Sequence, residues 1–408
     1  MEDKSLKPLF SIPVIVAALG YFVDIYDLLL FGIVRVSSLR SLGIDEANML
    51  DQGESLIRWQ MAGLLIGGLV WGIMGDKKGR LSVLFGSILL YSVANIANGF
   101  VTTVDQYAAL RFIAGIGLAG ELGAGITLVA EILPIRLRGY GTTLVAAVGL
   151  MGAVLANYIA SSFDWRIAYF IGGGLGLLLL LARVSIFESG VFLKLKEKKV
   201  QRGNFLQLLN NKVRLTKFLG CIFIGLPIWF VIGILITFSP EFAKALGIAD
   251  PVKAGDAIMY SYLGLALGDI LTGFISNALR SRKKVILLFT TLTIAFMLLY
   301  LFMPVLTKPF FYTTCFVMGV GIGYWALFVT IAAEQFGTNL RSTVATTVPN
   351  FIRFTVVPLT FMFKFMRDQV GVIYGALAVG LFTIVVAFIA LKFIDETYTR
   401  DLNFVEED

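Results

Sequence analysis

Ala130-Glu131-Ile132-Leu133-Pro134-Ile135-Arg136-Leu137-Arg138-Gly139 and Ala333-Glu334-Gln335-Phe336-Gly337-Thr338-Asn339-Leu340-Arg341-Ser342 are one short segment written twice. Ala, Glu and Arg recur at a constant spacing of 203 residues (333 − 130, 334 − 131, 341 − 138), and Thr143 and Thr346 keep the same register. Each copy follows a glycine-rich apolar run, with Gly115, Gly117 and Gly120 before the first and Gly319, Gly321 and Gly323 before the second. A weaker echo pairs Gly72, Asp76, Gly79 and Arg80 with Gly273, Asn277, Arg282 and Lys283, one residue being inserted. Short basic turns recur in many membrane proteins, but a fixed offset over an Ala-Glu and an Arg marks an internal repeat.

The repeat sits in a chain of 408 residues that is 58% hydrophobic and only 15% charged. A soluble fold carries roughly a quarter charged residues, so composition points to a polytopic membrane protein. Disorder is excluded by the low polarity. Two cysteines, Cys221 and Cys315, each inside an apolar run, exclude a disulfide scaffold. There is no histidine, which removes His-ligated metals, a Ser-His-Asp triad and imidazole shuttling. No metal and no cofactor are expected.

A spanning helix needs about 20 mostly apolar residues. Twelve runs qualify: 9–34, 55–75, 81–102, 107–130, 139–162, 166–184, 217–240, 256–279, 284–305, 309–333, 343–366 and 370–394. The first is too long for a signal peptide and lacks a small-residue cleavage site. Residues 185–216 are a basic linker, so the expected organisation is an N-terminal six-helix half (1–184), the linker, and a C-terminal half (217–408). Lys77, Lys78, Arg80, Arg136, Arg138, Arg280, Arg282, Lys283 and Lys284 fall in alternate loops, and the loops between them are poor in base. The positive-inside bias then places both termini in the cytoplasm. The net charge of +7 reflects that bias and contact with anionic membrane lipid; no nucleic-acid partner is needed.

Gly72-Ile-Met-Gly75-Asp76-Lys77-Lys78-Gly79-Arg80 resembles the signature loop of the major facilitator superfamily, between its helices 2 and 3. Gly20-Tyr-Phe-Val-Asp24-Ile-Tyr26-Asp27, Arg111-Phe-Ile-Ala-Gly115-Ile-Gly117-Leu-Ala-Gly120-Glu121, Glu188-Ser189-Gly190-Val191-Phe192 and Asp395-Glu396-Thr397-Tyr398 are similar to its metabolite:proton symporter and organic-ion branches. Gly190 stands where proline is usual. The helix-5 Gly-Pro motif of drug antiporters and the helix-4 phosphate motif are both absent. The resemblance implies an all-α membrane protein of twelve helices in two pseudo-symmetric halves, binding a small molecule by alternating access. It also implies that Asp27 carries protons with Arg111 as its partner, and that Gly72, Asp76, Gly79, Arg80, Glu131, Arg138, Glu188, Arg282, Glu334, Arg341 and Glu396 form a cytoplasmic gate. The bland reading of those charges is a solvated loop.

An intramembrane charge costs about 2.5–3.5 kcal/mol on insertion scales, so each needs a partner or a water-filled cavity. The bases that sequence position places deep in a span are Arg58, Arg111 and Arg353, and the acids are Asp24, Asp27, Glu121 and Asp269. Asp24 and Asp27 share a helix face and either couple protons or only neutralise an arginine. Glu121 is a second relay or a cation contact. Arg353 either grips a substrate carboxylate or pairs permanently with Asp269. Asn350 lies on the same face as Arg353, beside a helix that Pro349 and Pro358 can break. Trp229, Tyr260, Tyr324, Trp325, Tyr26 and Arg58 are further candidates for the wall of a binding site.

The expectation is a monomeric inner-membrane secondary transporter, not an enzyme, importing a small organic anion of carboxylate type with protons. No nucleotide-binding motif is present, so a gradient must drive it. The alternatives are a proton-coupled exporter of organic cations or drugs, and a lipid scramblase or flippase on the same fold.

Overall fold

The computed structural model describes residues 7–133, 135–183, 205–337 and 339–398. Among them there are helices and connecting turns and no strand. Ten helical runs from Ile12 to Glu334 are long and apolar enough to cross a bilayer, and an eleventh, Thr343–Ala390, is 48 residues long. Laid straight at 1.5 Å per residue it would reach about 70 Å, more than twice the hydrocarbon core. The chain doubles back instead at Gly371, whose φ of 82° is left-handed backbone. Just beyond the turn, Gly375 lies against the backbone of Arg367, where an added Cβ would sit 2.8 Å from its nitrogen. The run therefore holds spans 11 and 12, and twelve spans result.

Several boundaries move from their expected places for visible reasons. Span 1 runs Ile12–Ser41. Its polar end stays helical because Ser37, Ser38 and Ser41 each donate a hydroxyl to the carbonyl three residues back. Span 2 begins at Met49, since its early acids have partners across the molecule. Span 7 begins at Lys212, where Asn211 caps it by accepting from the N–H groups of Val213 and Arg214. Of the expected linker, residues 185–204 lie outside the described residues, and Leu206–Asn210 form a short helix.

Five spans are broken near mid-depth. Span 4 divides at Ala119-Gly120 into Val104–Leu118 and Glu121–Ile132, and span 5 divides at Met151. Span 7 passes from Lys212–Phe223 and Leu226–Phe230 into a π-helical turn, Val231–Ile236. Span 10 divides between Gly321 and Trp325. Span 11 breaks at Thr355, not at its prolines: Pro349 lies inside Arg341–Phe354, and Pro358 falls in the first turn of the next helix, where its missing N–H leaves no gap. Broken helices are tolerated in a bilayer where protein surrounds the freed backbone groups.

The repeat is visible in close helix contacts. Gly63 and Gly67 of span 2 sit against the backbone oxygens of Phe112 and Ile116 in span 4, and Gly115 sits against that of Gln60. In the second half, Gly264 and Gly268 of span 8 meet the oxygens of Phe316 and Val320, and Gly319 meets that of Ser261. A methyl group at any of these positions would collide with backbone, so glycine sets the approach of the spans in both halves. The two sets meet along spans 2 and 11 and along spans 5 and 8. Phe274, Leu181, Phe365 and Leu178 stand on the outer surface of the bundle, where lipid covers them.

Candidate functional site

At the centre, between the halves, lies a small cavity with room for about one water molecule. Its walls include Tyr21, Ile25 and Leu28 of span 1, Trp229 and Ile232 of span 7, Tyr262 of span 8, and Trp325 and Arg353. Arg353 is the cation of this cavity and is 1% exposed. Its guanidinium carbon stands 5.7 Å from the ring of Trp229 and 5.6 Å from that of Trp325, within cation–π range of both. Nη1 donates to Asn350 Oδ1 at 3.2 Å. The amide of Asn350 in turn donates to the carbonyl of Ala119 at 2.8 Å, across the two halves. Nε of Arg353 and Nε1 of Trp229 are buried without a hydrogen-bond partner. Trp325 Nε1 donates to Tyr21 Oη at 3.1 Å, a second bond between halves. Asp24, fully buried, acts on Arg353 through space, and neither of its carboxylate oxygens has a hydrogen-bond partner. The site thus offers free N–H donors, two indole faces and one counter-charge in apolar walls.

Asp269 is not the partner of Arg353. Its Oδ1 accepts from the backbone N–H of Ala326 at 2.9 Å, so it caps the second half of broken span 10 and holds Trp325 at that helix's start.

A second polar set lies inside the N-terminal half. Asp27 is fully buried with its oxygen over Gly172 of span 6, and Arg111 and Asn95 are its polar neighbours. Arg111 donates to Asn95 Oδ1 and lies over the ring of Tyr169 at 4.8 Å. Tyr26 turns into the half and donates to the carbonyl of Ala168 at 2.8 Å. Glu121 is occupied: Arg183 donates to both of its oxygens, the Nη1 bond being 3.0 Å. Gly20 makes room for that pair, since a Cβ there would strike both groups.

The halves also touch at both ends. At the end opposite the basic loops, Arg35 donates to both oxygens of Glu241 at 2.7 and 2.9 Å, Asp51 takes Lys364 at 2.9 Å and Arg367 at 3.2 Å, and Glu54 takes Arg367 at 3.5 Å. Arg58 belongs to this cluster, 3.4 Å from Glu54 and over the ring of Phe361; it is remote from the central cavity because it lies only two turns into span 2. At the basic end the polar bonds lie within the C-terminal half: Arg282 reaches Glu334 at 3.4 Å, Thr397 donates to Glu334 at 2.6 Å, and Glu396 accepts from Ser281 and from the N–H groups of Arg282 and Lys283. Burial pushes the Glu396 carboxyl up, but those bonds and the Tyr398 N–H outweigh it and hold the group below the ordinary glutamate value. Arg341 opens span 11. Gly72 faces Thr343 and Thr347 of span 11, and Gly79 makes the 2–3 turn at φ 102°. The side chains of Asp76, Arg80, Glu131 and Arg138, and all of Glu188, lie outside the described residues.

Of the expected wall residues, the structure brings Arg353, Trp229 and Trp325 together, with Asn350 behind Arg353. It does not bring the other aromatics to them. Tyr260 stands on the outer surface, stacked on Tyr312 at 5.4 Å, and Tyr262 faces inward in its place. Tyr324 is buried behind the wall, donating to the carbonyl of Ile224 at 3.1 Å. Sequence reading missed Arg35 and Arg183, both fully buried. Each sits at the edge of an apolar run and reads as its hydrophilic end; the signal was an arginine flanked on both sides by aliphatic residues.

A family profile described as Major Facilitator Superfamily matches residues 17–354. The sialic acid transporter NanX of Escherichia coli is 26% identical over 395 residues, 94% of this chain and 92% of NanX. The gentisate transporter of Corynebacterium glutamicum is 24% identical over 345 residues, 80% of this chain and 74% of that one. The solved structure of the proton:xylose symporter XylE bound to 6-bromo-6-deoxy-D-glucose superposes with a TM-score of 0.77 at 17% identity, covering 97% of this chain and 98% of XylE. With its profile match, its transporter relatives and its twelve-span fold in agreement, this chain belongs to the major facilitator superfamily and is a multi-pass integral membrane transporter, not an enzyme.

Proposed function

We propose that this transporter is a proton-coupled symporter importing a small organic anion that carries a carboxylate. It works by alternating access of the halves 1–184 and 217–408 about the central cavity, in a bacterial inner membrane with both termini cytoplasmic. The observation that carries the reading is Arg353, buried between Trp229 and Trp325 with its Nε and the indole Nε1 of Trp229 left without a hydrogen-bond partner. A guanidinium with free N–H groups suits the two oxygens of a carboxylate, and indole faces suit a flat apolar body. The relatives named for sialic acid and for gentisate take compounds that carry a carboxylate. Asp27 beside Arg111, and Asp24 facing the cation of the cavity, are the proton-carrying groups of this reading. Glu121 serves as the fixed partner of Arg183.

A second reading, export of an organic cation, rests on the two unpartnered oxygens of Asp24. One experiment separates them. Purified protein is screened by thermal shift over carboxylates and organic cations, binding is measured by calorimetry, and the binder is tested in liposomes for uptake under an imposed proton gradient. A carboxylate should raise the midpoint, since a ligand at 100 times its Kd stabilises by about 2.7 kcal/mol, and should accumulate with acidification of the lumen. Stabilisation by cations alone would sink the anion reading.

A further inference from the structure

Asp27 does not line the central cavity; the residues of span 1 that do are Tyr21, Ile25 and Leu28. If Asp27 loads and unloads a proton, as the symport reading on which this inference rests requires, that proton needs its own way in. A line of buried hydroxyls runs from beside Asp27, whose own oxygens have no hydrogen-bond partner, toward the end opposite the basic loops. Asp27 Oδ1 lies over Gly172, one turn along span 6 from Tyr169. The hydroxyls of Tyr169 and Tyr107 are 2.6 Å apart. The Tyr107 hydroxyl lies 3.5 Å from Ser38 Oγ. Ser38 is one turn from Ser41, the exposed last residue of span 1, which receives the indole N–H of Trp165 at 2.9 Å. Ser38, Tyr107 and Tyr169 are each 0% exposed.

Ring packing does not require these hydroxyls. Tyr107 packs edge-on against Phe31 and Tyr169, contacts that phenylalanine would make equally. A buried hydroxyl costs free energy unless it is hydrogen-bonded; Tyr107 and Tyr169 satisfy one another and Tyr107 reaches Ser38 Oγ, while Ser38 itself donates to the carbonyl of Arg35 and both oxygens of Asp27 stand without a hydrogen-bond partner.

We infer that Asp27 exchanges its proton with the end opposite the basic loops through Ser38, Tyr107 and Tyr169, inside the N-terminal half, and not through the substrate cavity. On loading, a proton reaches Ser38 Oγ, whose hydroxyl leaves the carbonyl of Arg35 and passes its own proton to Tyr107 Oη. The Tyr107 proton passes to Tyr169 Oη, and the Tyr169 hydroxyl turns to the unpartnered carboxylate of Asp27 and gives it its proton. Each hydroxyl oxygen gains one proton and loses one, so the relay is unchanged and Asp27 alone is protonated. The hydroxyls then rotate back for the next passage. The other groups around Asp27 are Arg111 on span 4, Asp24 and Tyr26 on span 1, and Tyr91 on span 3.

The test needs no substrate. Protein in lipid vesicles is subjected to a pH jump and followed by infrared difference spectroscopy. The carboxylic C=O band that vanishes in Asp27→Asn reports Asp27. In Tyr107→Phe the band should keep its amplitude, which shows an intact fold, and rise more slowly by about tenfold or more. Ser38→Ala should slow it likewise. An Asp27 band of unchanged rate in both variants would overturn the relay and leave the symport reading standing. Absence of any Asp27-dependent band in the wild type would overturn the coupling role of Asp27 and the relay with it.

Discussion

Oδ1 of Asp269 in span 8 accepts the backbone N–H of Ala326 in span 10 at 2.9 Å. One carboxylate thereby fixes the start of the half-helix that presents Trp325 to Arg353. The bond couples a break in the backbone to the wall of the cavity, so Asp269 is a positioning residue.

Removing that cap should loosen Trp325. Asp269→Ala should cost about 1 kcal/mol or more, the usual value of a cap, and red-shift the tryptophan emission as the indole gains freedom. Asp269→Asn keeps an acceptor oxygen and should restore most of the spectrum. Equal spectra for wild type and Asp269→Ala would argue against the cap.

Arg353→Lys separates a two-pronged grip from a simple charge. An ammonium keeps the charge but lacks the planar fork and stacks poorly between two indoles. Affinity for the identified carboxylate should fall by about tenfold or more, measured by calorimetry. Wild-type affinity in this variant would exclude the grip.

Asp27→Asn keeps size and hydrogen-bonding capacity and removes the titratable group. Uptake driven by a proton gradient should disappear while exchange of substrate across the membrane remains measurable. Acidification of the lumen at the wild-type rate during uptake would show that Asp27 is not the coupled site.

The ion pairs at the end opposite the basic loops should bias which end opens. Arg367→Gln leaves Asp51 without one cation and Glu54, whose side chain is 0% exposed, without its partner across the halves. Partly exposed pairs are each worth up to about 1 kcal/mol, so a several-fold shift toward opening at that end is expected. Spin labels on the 1–2 and 7–8 loops should then report longer distances. Asp76→Ala or Arg80→Ala, in the segment that resembles the family's signature loop, should lengthen distances between the 4–5 and 10–11 loops instead.

Glu396 carries a pH signature. Its carboxyl is held below the ordinary glutamate value by bonds from Ser281 and from backbone N–H groups. A depressed folded value means that its stabilising contribution is complete above about pH 4.3, the unfolded value, and is lost as pH falls through the folded one. Glu396→Gln should flatten the acid limb of the melting temperature against pH. An identical acid limb in the variant would place that loss elsewhere.

Glu131 and Glu334, one repeat apart, mark how far a linear reading reaches. The constant offset, the apolar runs of about 20 residues and the basic turns are local properties of the chain. Hydrocarbon imposes the helix on every such run, so span number, repeat and family class were legible from sequence. Arg353, Trp229 and Trp325 were legible as candidates because an intramembrane charge or indole stands out against aliphatic neighbours.

What each charge faces was decided only by packing. Asp269 read as a permanent partner for Arg353 until its carboxylate was found on the backbone of Ala326. Glu121 read as a second relay or a cation contact, and only packing supplied Arg183, 62 residues on, as the cation on it. Arg58 read as a candidate for the cavity wall until Glu54 and the ring of Phe361 were found beside it in the cluster at the end opposite the basic loops. Partner choice for a buried charge depends on which helix faces cross and on which side of a glycine the space lies. Those are set by contacts between residues tens to hundreds of positions apart, and no local pattern in the chain records them.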